Sequence, residues 1–375
     1  MQQDDDSRLI AIIEAIKTVG PRNCSLISRM TGIPVETVRY KITKQLIRKG
    51  IAFRPIVDFE LMGLRRAFVR MTFNKEVQNR ATEILDNLHP FGLTYYARTL
   101  PDGAYETMFA MPYYQTRLYE VFFERLVEER ILNSFEISPL DYVQSVSLRP
   151  EYYDFKKGEW KIDWDNLVPM GIRLSNEEAF APRRDLVKVD FIDLLIVHEM
   201  QRNAFFRINQ LQKSLNINSK TLRYHFTSHL VKNKLIAGYV VTWRGFKRGN
   251  EKITGVMIKV RNVLPHEKQQ LEEISLKIPF SWNYAYSGKE KTFYLMLFIP
   301  SEYYTILLSK ITDSLTKFND RVENVLLDYK RVNSFTIPIA LYDRELNDWI
   351  FNEPKALTTV QTILGIQKVK NLDLV

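Results

Sequence analysis

The segment 33–46 has apolar residues at helical spacing, with polar residues between them. Val38, Ile42 and Leu46 stand four positions apart, so an α-helix would place them on one side. The pattern therefore predicts a short amphipathic helix that buries one stripe and presents its other face to solvent. That polar face is predicted to carry Glu36, Arg39, Tyr40, Thr43 and Lys44.

A second segment, 217–230, repeats this pattern. Arg39 and Arg223 are separated by 184 positions, and the same offset joins Tyr40 to Tyr224. A constant offset of this kind indicates an internal repeat. The second polar face is predicted to begin with an N-cap serine and to carry Ser219, Lys220, Arg223, Tyr224, His225, Thr227 and Ser228.

Each of these helices is predicted to be the third helix of a winged helix-turn-helix module. Apolar periodicity indicates two earlier helices, over 6–17 and 25–30, and a Gly-containing turn follows the second. Residues 51–57 have the β-branched and aromatic character of a strand. The two modules are predicted to span 1–63 and 184–250.

After each module the pattern changes to strands and helices in the order β-α-β-β-α-β, the ferredoxin-like arrangement. The fold class is therefore α+β, with two repeats of a winged helix-turn-helix followed by a ferredoxin-like βαββαβ domain. In the first copy the predicted elements are strand 67–73, helix 75–88, a hairpin of 92–100 with 104–111, helix 113–130 and strand 137–148. The remaining predicted boundaries are 64–150 and 251–350 for the ferredoxin-like domains, 151–183 for a linker and 351–375 for a C-terminal tail.

Composition narrows the class of protein. The 375 residues are 45% hydrophobic and 26% charged, as in globular proteins, and no apolar run is long enough to span a bilayer. The acidic start Asp4-Asp5-Asp6 is unlike a secretory signal. The single cysteine, Cys24, cannot form an internal disulfide. These features predict a cytoplasmic, nucleoid-associated protein.

The charge distribution favours a polyanionic partner. The net charge is +9, and residues 184–250 hold 12 Lys and Arg against 4 Asp and Glu, a surplus of 8. Residues 1–63 hold 10 against 7, a surplus of 3. Since Arg can address guanine edges and Lys or Thr can hold phosphates, the two polar faces are predicted to bind double-stranded DNA. A basic wing would add backbone contacts through Arg244, Lys247 and Arg248.

The segment Thr31-Gly32-Ile33-Pro34-Val35-Glu36-Thr37-Val38-Arg39-Tyr40 resembles the Lrp/AsnC family of bacterial and archaeal transcriptional regulators. The ending Leu46 to Gly50 and the later Gly63-Leu64 add to the resemblance. It implies a helix-turn-helix joined to a βαββαβ domain for effector binding and oligomerisation, with Glu36, Arg39, Tyr40 and Thr43 on the recognition helix.

Family members usually carry one such unit per chain, whereas two are predicted here. The two helix-turn-helix units are therefore expected to act as an intrachain pseudo-dimer. Lys220 replaces Glu36 and His225 replaces Lys41 at the equivalent positions, so the DNA site is expected to be asymmetric, with half-sites about 10 base pairs apart or a multiple. A homodimer and a small-molecule effector are left open.

Three other functions were weighed. His225 and His229 stand four apart, a spacing that can chelate a metal, but no nearby Cys or Glu completes a set, so neither a metal nor a cofactor is predicted.

Some proteins that resemble Lrp with this two-module build decarboxylate sirohaem, using basic and aromatic residues in the α/β cleft. The chain is expected not to be an enzyme, with that activity and a protein-binding scaffold as the alternatives.

Overall fold

The computed structural model describes residues 2–100, 102–165, 167, 186–243 and 253–366. Its helices are α1 Gln2–Val19, α2 Cys24–Thr31, α3 Val35–Tyr40, α4 Ala81–Asn87, α5 Thr116–Glu128, α6 Phe191–Arg202, α7 Asn209–Leu215, α8 Ser219–Tyr224, α9 Pro265–Lys277, α10 Tyr304–Ser314 and α11 Glu353–Leu364. Single π-helical turns, Lys41–Leu46 and His225–Val231, continue α3 and α8.

The strands are β1 Ile51–Val57, β2 Leu64–Phe73, β3 Leu93–Leu100, β4 Tyr105–Pro112, β5 Leu132–Pro139, β6 Tyr142–Ser145, β7 Tyr153–Asp154, β8 Glu159–Trp160, β9 Ile236–Trp243, β10 Ile253–Val260, β11 Ser281–Ser287, β12 Thr292–Pro300, β13 Val322–Ser334, β14 Tyr342–Asp343 and β15 Asp348–Trp349. The element order β-α-β-β-α-β occurs from β2 to β5 and again from β10 to β13. The structure is therefore mixed α and β, with a large antiparallel sheet.

The first three helices enclose the predicted apolar stripe. Val38, Ile42 and Leu46 are at most 1% exposed and pack with residues of α1. The helix α2 begins after Asn23, whose side chain accepts a hydrogen bond from the amide of Leu26, and it ends at Gly32 with φ of 70°. Capping at both ends and burial of one face explain why this short helix is stable.

The strand that follows each three-helix group pairs with its counterpart. β1 and β9 form an antiparallel pair in continuous register from Ile51 opposite Trp243 to Ile56 opposite Gly238, and the register then shifts so that Val57 lies opposite Ile236. The guanidinium of Arg22 donates to the carbonyl of Phe206 at 2.7 Å, so side chains also join the two helical groups. The paired strands therefore hold both three-helix groups in one body.

The large sheet has nine strands in the order β5-β2-β4-β3-β13-β10-β12-β11-β6. Its two halves join where β3 pairs with β13 and where β6 pairs with β11. The halves also face each other, since Phe68 and Met108 of the first pack in one cluster with Met257 and Met296 of the second. Helices cover the opposite faces, which is why every residue of β4 is buried.

Several predicted boundaries were wrong. The helix expected over 75–88 is α-helical only in α4, and the strand expected over 137–148 is divided into β5 and β6 because its second part pairs with the other half of the sheet. Residues 353–364, expected to be part of a tail, form α11, which packs against α5 through Glu353 and Arg125 at 3.2 Å. Among the described residues, no helix combines the length and apolar character needed to cross a membrane.

Candidate functional site

The predicted face of the first recognition helix is exposed. Arg39 pairs with Glu36 at 2.6 Å, and their side chains are 57% and 78% exposed. The ring of Tyr40 is 59% exposed, and Thr43 and Lys44 lie beside it on the surface. The Thr43 hydroxyl donates to the Arg39 carbonyl at 2.8 Å, which leaves its oxygen able to accept a hydrogen bond from a partner.

The second predicted recognition helix, α8 with its π-helical continuation, presents the corresponding side chains. Tyr224 is 57% exposed, and the Thr227 hydroxyl donates to the Arg223 carbonyl at 2.8 Å, as in the first helix. Lys220, Arg223 and Thr227 are also exposed. Ser219 and Ser228 are half-buried. The predicted wing residues Arg244, Lys247 and Arg248 lie outside the described residues.

Two details of the second helix were wrong. His225 is only 7% exposed and its Nδ1 lies 2.9 Å from Oδ1 of Asp193 on α6, so it faces the protein interior and not a DNA partner. Ser219 is not the N-cap, because the side chain of Asn218 accepts from the amide of Lys220 at 2.9 Å. The helix therefore begins at Ser219, one residue earlier than predicted.

A basic groove, which the sequence analysis did not predict, lies where the two three-helix groups meet. It encloses about 360 Å³ and is lined by Arg22, Arg207, Arg223 and Phe226, with Ile208 and Asn209. The Arg22 guanidinium lies 5.8 Å from the centre of the Phe226 ring. Because these residues come from both groups, only the tertiary structure brings the three arginines together.

A second concave site, the aromatic cavity, lies between the β1–β9 pair and the large sheet. Its volume is about 390 Å³, within the range of small-molecule sites. Trp282 packs against Tyr95 at 5.0 Å and against Phe298 at 5.2 Å. The principal lining side chains are Arg54, Trp160, Trp243, Phe280, Trp282, Phe298 and Tyr329.

The aromatic cavity contains polar atoms that are buried without a partner among the described residues. These are Nε1 of Trp160 and Oγ of Ser281. Trp349, 189 positions after Trp160, differs, because its Nε1 donates to the carbonyl of Met62 at 2.6 Å. Since buried polar groups are usually hydrogen-bonded in proteins, these two atoms are exceptions among the residues that line the cavity.

Two ionisable side chains line the same cavity. Arg54 comes from β1 and carries a positive charge, whereas Tyr329 comes from β13. Burial raises the pKa of the Tyr329 phenol above its usual value, so the phenol stays protonated at neutral pH. The cavity thus combines aromatic faces, a cation and a proton donor.

Sequence reasoning did not identify this cavity. Three of the five tryptophans line it, namely Trp160, Trp243 and Trp282, yet they are spread over 122 positions and come from different strands. Their convergence depends on the pairing of β1 with β9 and of β6 with β11.

Comparison with solved structures shows which proteins share this fold. The chain is similar to the crystal structure of the siroheme decarboxylase NirDL, with 13% identity and a TM-score of 0.53 over 96% of this chain and 98% of that one. The same enzyme in complex with an iron-uroporphyrin III analogue gives 11% identity and a TM-score of 0.53, covering 96% and 100%.

A Mycobacterium tuberculosis leucine response regulatory protein, LrpA, matches 36% of this chain and 90% of its own, with 13% identity. Its TM-score of 0.26 is too low to carry an argument. No protein-family model matches the chain, and no curated protein matches it either.

These comparisons correct one expectation. The chain was expected not to be an enzyme, but the structures that match 96% of it with a TM-score of 0.53 are those of an enzyme. At 11–13% identity the likeness shows the fold alone. The mixed α and β fold with its large antiparallel sheet therefore gives no reason to exclude catalysis.

Proposed function

We propose that this chain is an enzyme that binds a carboxylate-bearing tetrapyrrole, with one edge of the macrocycle inserted into the aromatic cavity, and removes carboxyl groups from it. The observation that supports this most directly is the cavity itself, whose lining combines three tryptophans with Arg54 and Tyr329. The fold shared with a siroheme decarboxylase over nearly the full length of both chains supports the choice of ligand.

The lining matches the chemistry of such a ligand. A flat conjugated macrocycle packs favourably against aromatic faces such as those of Trp243 and Trp282. A peripheral carboxylate would pair with the guanidinium of Arg54, since charge-assisted bonds between Arg and carboxylate are strong. The free Nε1–H of Trp160 and the hydroxyl of Ser281 would hydrogen-bond further peripheral groups.

Decarboxylation has a simple atomic balance. The bond between a side-chain carbon and its carboxylate breaks, carbon dioxide leaves, and a proton is added to the carbon that remains. The reaction therefore needs a proton donor but no external oxidant or reductant. Tyr329 lines the cavity and its phenol is protonated at neutral pH, so it is the residue that we assign to this role.

The experiment is to titrate the purified chain, without oxygen, with siroheme and with iron-uroporphyrin III. We expect a shift of the tetrapyrrole absorbance on binding and loss of carbon dioxide detected by mass spectrometry. Trp282→Ala should weaken binding. Tyr329→Phe should leave binding intact and slow decarboxylation by about 10²–10⁴-fold, the usual contribution of a general acid.

Tyr114→Phe is the matched control, because Tyr114 is 86% exposed and lies on the surface. The proposal fails if neither tetrapyrrole changes its absorbance in the presence of the chain. It also fails if Tyr329→Phe and Tyr114→Phe decarboxylate at the same rate.

A second candidate function is binding of double-stranded DNA as a transcriptional regulator. It is favoured by the exposed Arg39–Tyr40 and Arg223–Tyr224 pairs and by the basic groove between the two helical groups. We infer that the chain is an internal duplication of a winged helix-turn-helix and a ferredoxin-like domain, with the boundaries predicted above. The two recognition helices would then act as an intrachain pseudo-dimer on an asymmetric site.

Genome-wide selection of bound DNA, followed by affinity measurements at several salt concentrations, tests this function. Arg223→Ala should weaken binding and reduce the salt dependence by about one released counterion, as expected when one phosphate contact is lost. Arg117→Ala is the control, since Arg117 is 71% exposed on α5, outside both helical groups. Equal DNA affinity of the two variants would exclude this role for the recognition helix.

A further inference from the structure

We propose that Asp190, Asp193, His225 and His229 form a binding site for a divalent transition-metal ion, with Zn²⁺ as the best match. The site lies inside the second helix-turn-helix group, between α6 and the helix that continues from α8. It is separate from the aromatic cavity and does not depend on the function proposed for it.

The four side chains converge on one point. Nδ1 of His225 lies 2.9 Å from Oδ1 of Asp193, and Nδ1 of His229 lies 3.0 Å from Oδ2 of the same carboxylate. The second carboxylate, from Asp190, is 3.4 Å from Nδ1 of His225. All four potential ligand atoms lie within 4.8 Å of one another.

These separations are close to those of a tetrahedral zinc site. Zinc binds imidazole nitrogen and carboxylate oxygen at about 2.0–2.2 Å, which places neighbouring ligand atoms about 3.3 Å apart. Small rotations of the side chains would therefore admit the ion. Two imidazoles and two carboxylates suit borderline metals such as Zn²⁺ better than Ca²⁺ or Mg²⁺, which prefer oxygen ligands alone.

The protein backbone holds both carboxylates in place. Oδ1 of Asp190 accepts from the amides of Ile192 and Asp193 at 2.9 and 3.0 Å, and Oδ2 of Asp193 accepts from the amide of Asp190 at 3.1 Å. This reciprocal capping box fixes the start of α6. Hydrogen bonds of this kind orient metal ligands and strengthen binding.

The equivalent place in the first helical group holds a cation of its own. Positions 184 residues earlier are Asp6, Leu9, Lys41 and Gln45. Lys41 is 4% exposed, and its ammonium group contacts Asp5 and, at 3.3 Å, Oε1 of Gln45. The second group has lost this lysine and gained the buried carboxylate of Asp193, which is 0% exposed. A divalent ion would supply the missing positive charge.

The site is accessible to an ion from solvent. The side chain of Asp190 is 40% exposed and that of His229 is 29% exposed, whereas Asp193 and His225 form the buried floor. The His229 ring also lies 5.1 Å from the ring of Tyr224, which is on the exposed face of the recognition helix. A bound metal would therefore clamp this helix to α6 directly beneath its outward-facing residues.

The experiment uses the full chain without a polyhistidine tag, stripped of metal with a chelator and titrated with Zn²⁺ by calorimetry. We expect one ion per chain, a higher melting temperature with Zn²⁺, and visible absorption bands of tetrahedral coordination when Co²⁺ is used instead. His229→Gln and Asp190→Asn should each raise the Kd at least about tenfold.

Both variants are compatible with folding. Glutamine stands at the equivalent position, Gln45, in the first helical group, and asparagine can cap a helix as aspartate does. His266→Gln, on α9, is the matched control and should bind Zn²⁺ like the unmodified chain. The proposal is overturned if the unmodified chain binds no Zn²⁺, or if His229→Gln and Asp190→Asn bind it as tightly as His266→Gln does.

Discussion

Nζ of Lys259 lies 2.7 Å from Oε1 of Glu106, and this ion pair joins the two halves of the large sheet from the inside. Glu106 is on β4 and is 1% exposed, whereas Lys259 is on β10 and is 9% exposed. The same carboxylate oxygen accepts from Arg70 at 2.5 Å. One buried carboxylate therefore pairs with two cations, one from each half, and Arg70 also pairs with Asp102.

Glu106→Gln should strongly destabilise the fold. The substitution leaves Lys259 buried without its counter-charge, and breaking a buried pair from one side costs about 3–5 kcal/mol. Urea denaturation measures the change in the free energy of unfolding. Adding Lys259→Met should recover part of the loss, since the buried ammonium is then absent.

Glu83→Gln is the matched control for this prediction, because Glu83 pairs with Arg80 on the surface. It should leave the urea midpoint almost unchanged, as exposed ion pairs contribute little. If the Glu106 and Glu83 variants unfolded at the same urea concentration, the buried pair would not stabilise the junction.

The two related tryptophans should respond differently to loss of the indole N–H. Trp349→Phe removes the donor to the Met62 carbonyl and leaves that acceptor buried, which costs about 1–3 kcal/mol. Trp160→Phe removes an N–H that has no partner among the described residues, so the free energy of unfolding should change less. Denaturation followed by circular dichroism compares them, and an equal loss in both would contradict the assignment of partners.

Gly92→Ala should be much more harmful than Gly32→Ala. Both glycines have positive φ, of 106° and 70°, which disfavours any other residue. At Gly92, however, an added Cβ would lie 2.7 Å from the carbonyl oxygen of Ala110 and from the hydroxyl of Tyr119. At Gly32 it would meet nothing within 4 Å.

The Gly32 variant should therefore lose about 1 kcal/mol from backbone strain alone, and the Gly92 variant clearly more. Melting temperatures of the two purified variants measure the difference. A Gly92 variant as stable as the Gly32 variant would show that β4 and α5 can move apart without cost.

Acidification should destabilise the protein through His89 and His198. Burial lowers the pKa of both imidazoles below the ordinary value near 6.5, and His89 stacks on Phe335 with ring centres 4.9 Å apart. The folded state therefore binds fewer protons than the unfolded state as pH falls through about 6.5. Stability is fully present above this pH and declines below it, by at most about 1.4 kcal/mol per pH unit for each histidine.

The measurement is the free energy of unfolding between pH 7.5 and 5, with about ten points across this range to define the slope. His89→Gln should flatten the dependence, whereas His266→Gln should not. A pH dependence that is identical in the unmodified chain and in His89→Gln would contradict this origin.

Patterns between neighbouring positions in the chain predicted many of the local elements. The stripe of Val38, Ile42 and Leu46 is buried as expected, and the predicted hairpin forms from β3 and β4. Tyr40 and Tyr224 are exposed, as their places opposite the stripes indicated. The periodicity of apolar residues decides these features, because it sets which face of an element leaves water.

The same pattern misplaced His225. The helical periodicity predicted that His225 lies on the polar, exposed face. In the structure its ring faces the interior, where it lies within hydrogen-bonding distance of Asp193 on α6. The sequence predicts no metal site because no Cys or Glu is near the two histidines, whereas the fold brings Asp193 and Asp190, 32 and 35 positions before His225, close to both of them. Spacing along one helix could not reveal which side chains of another helix lie beside it.

The sequence by itself determined the type and order of many helices and strands, which stripes are apolar, and that similar segments recur after 184 positions. Only the tertiary structure decided that β1 pairs with β9, that Trp160 and Trp282 meet in one cavity, and that Glu106 faces Lys259. Local periodicity depends on residues a few positions apart, so one segment is enough to read it. Contacts across more than 100 positions depend on the packing of the whole chain, which no single segment records.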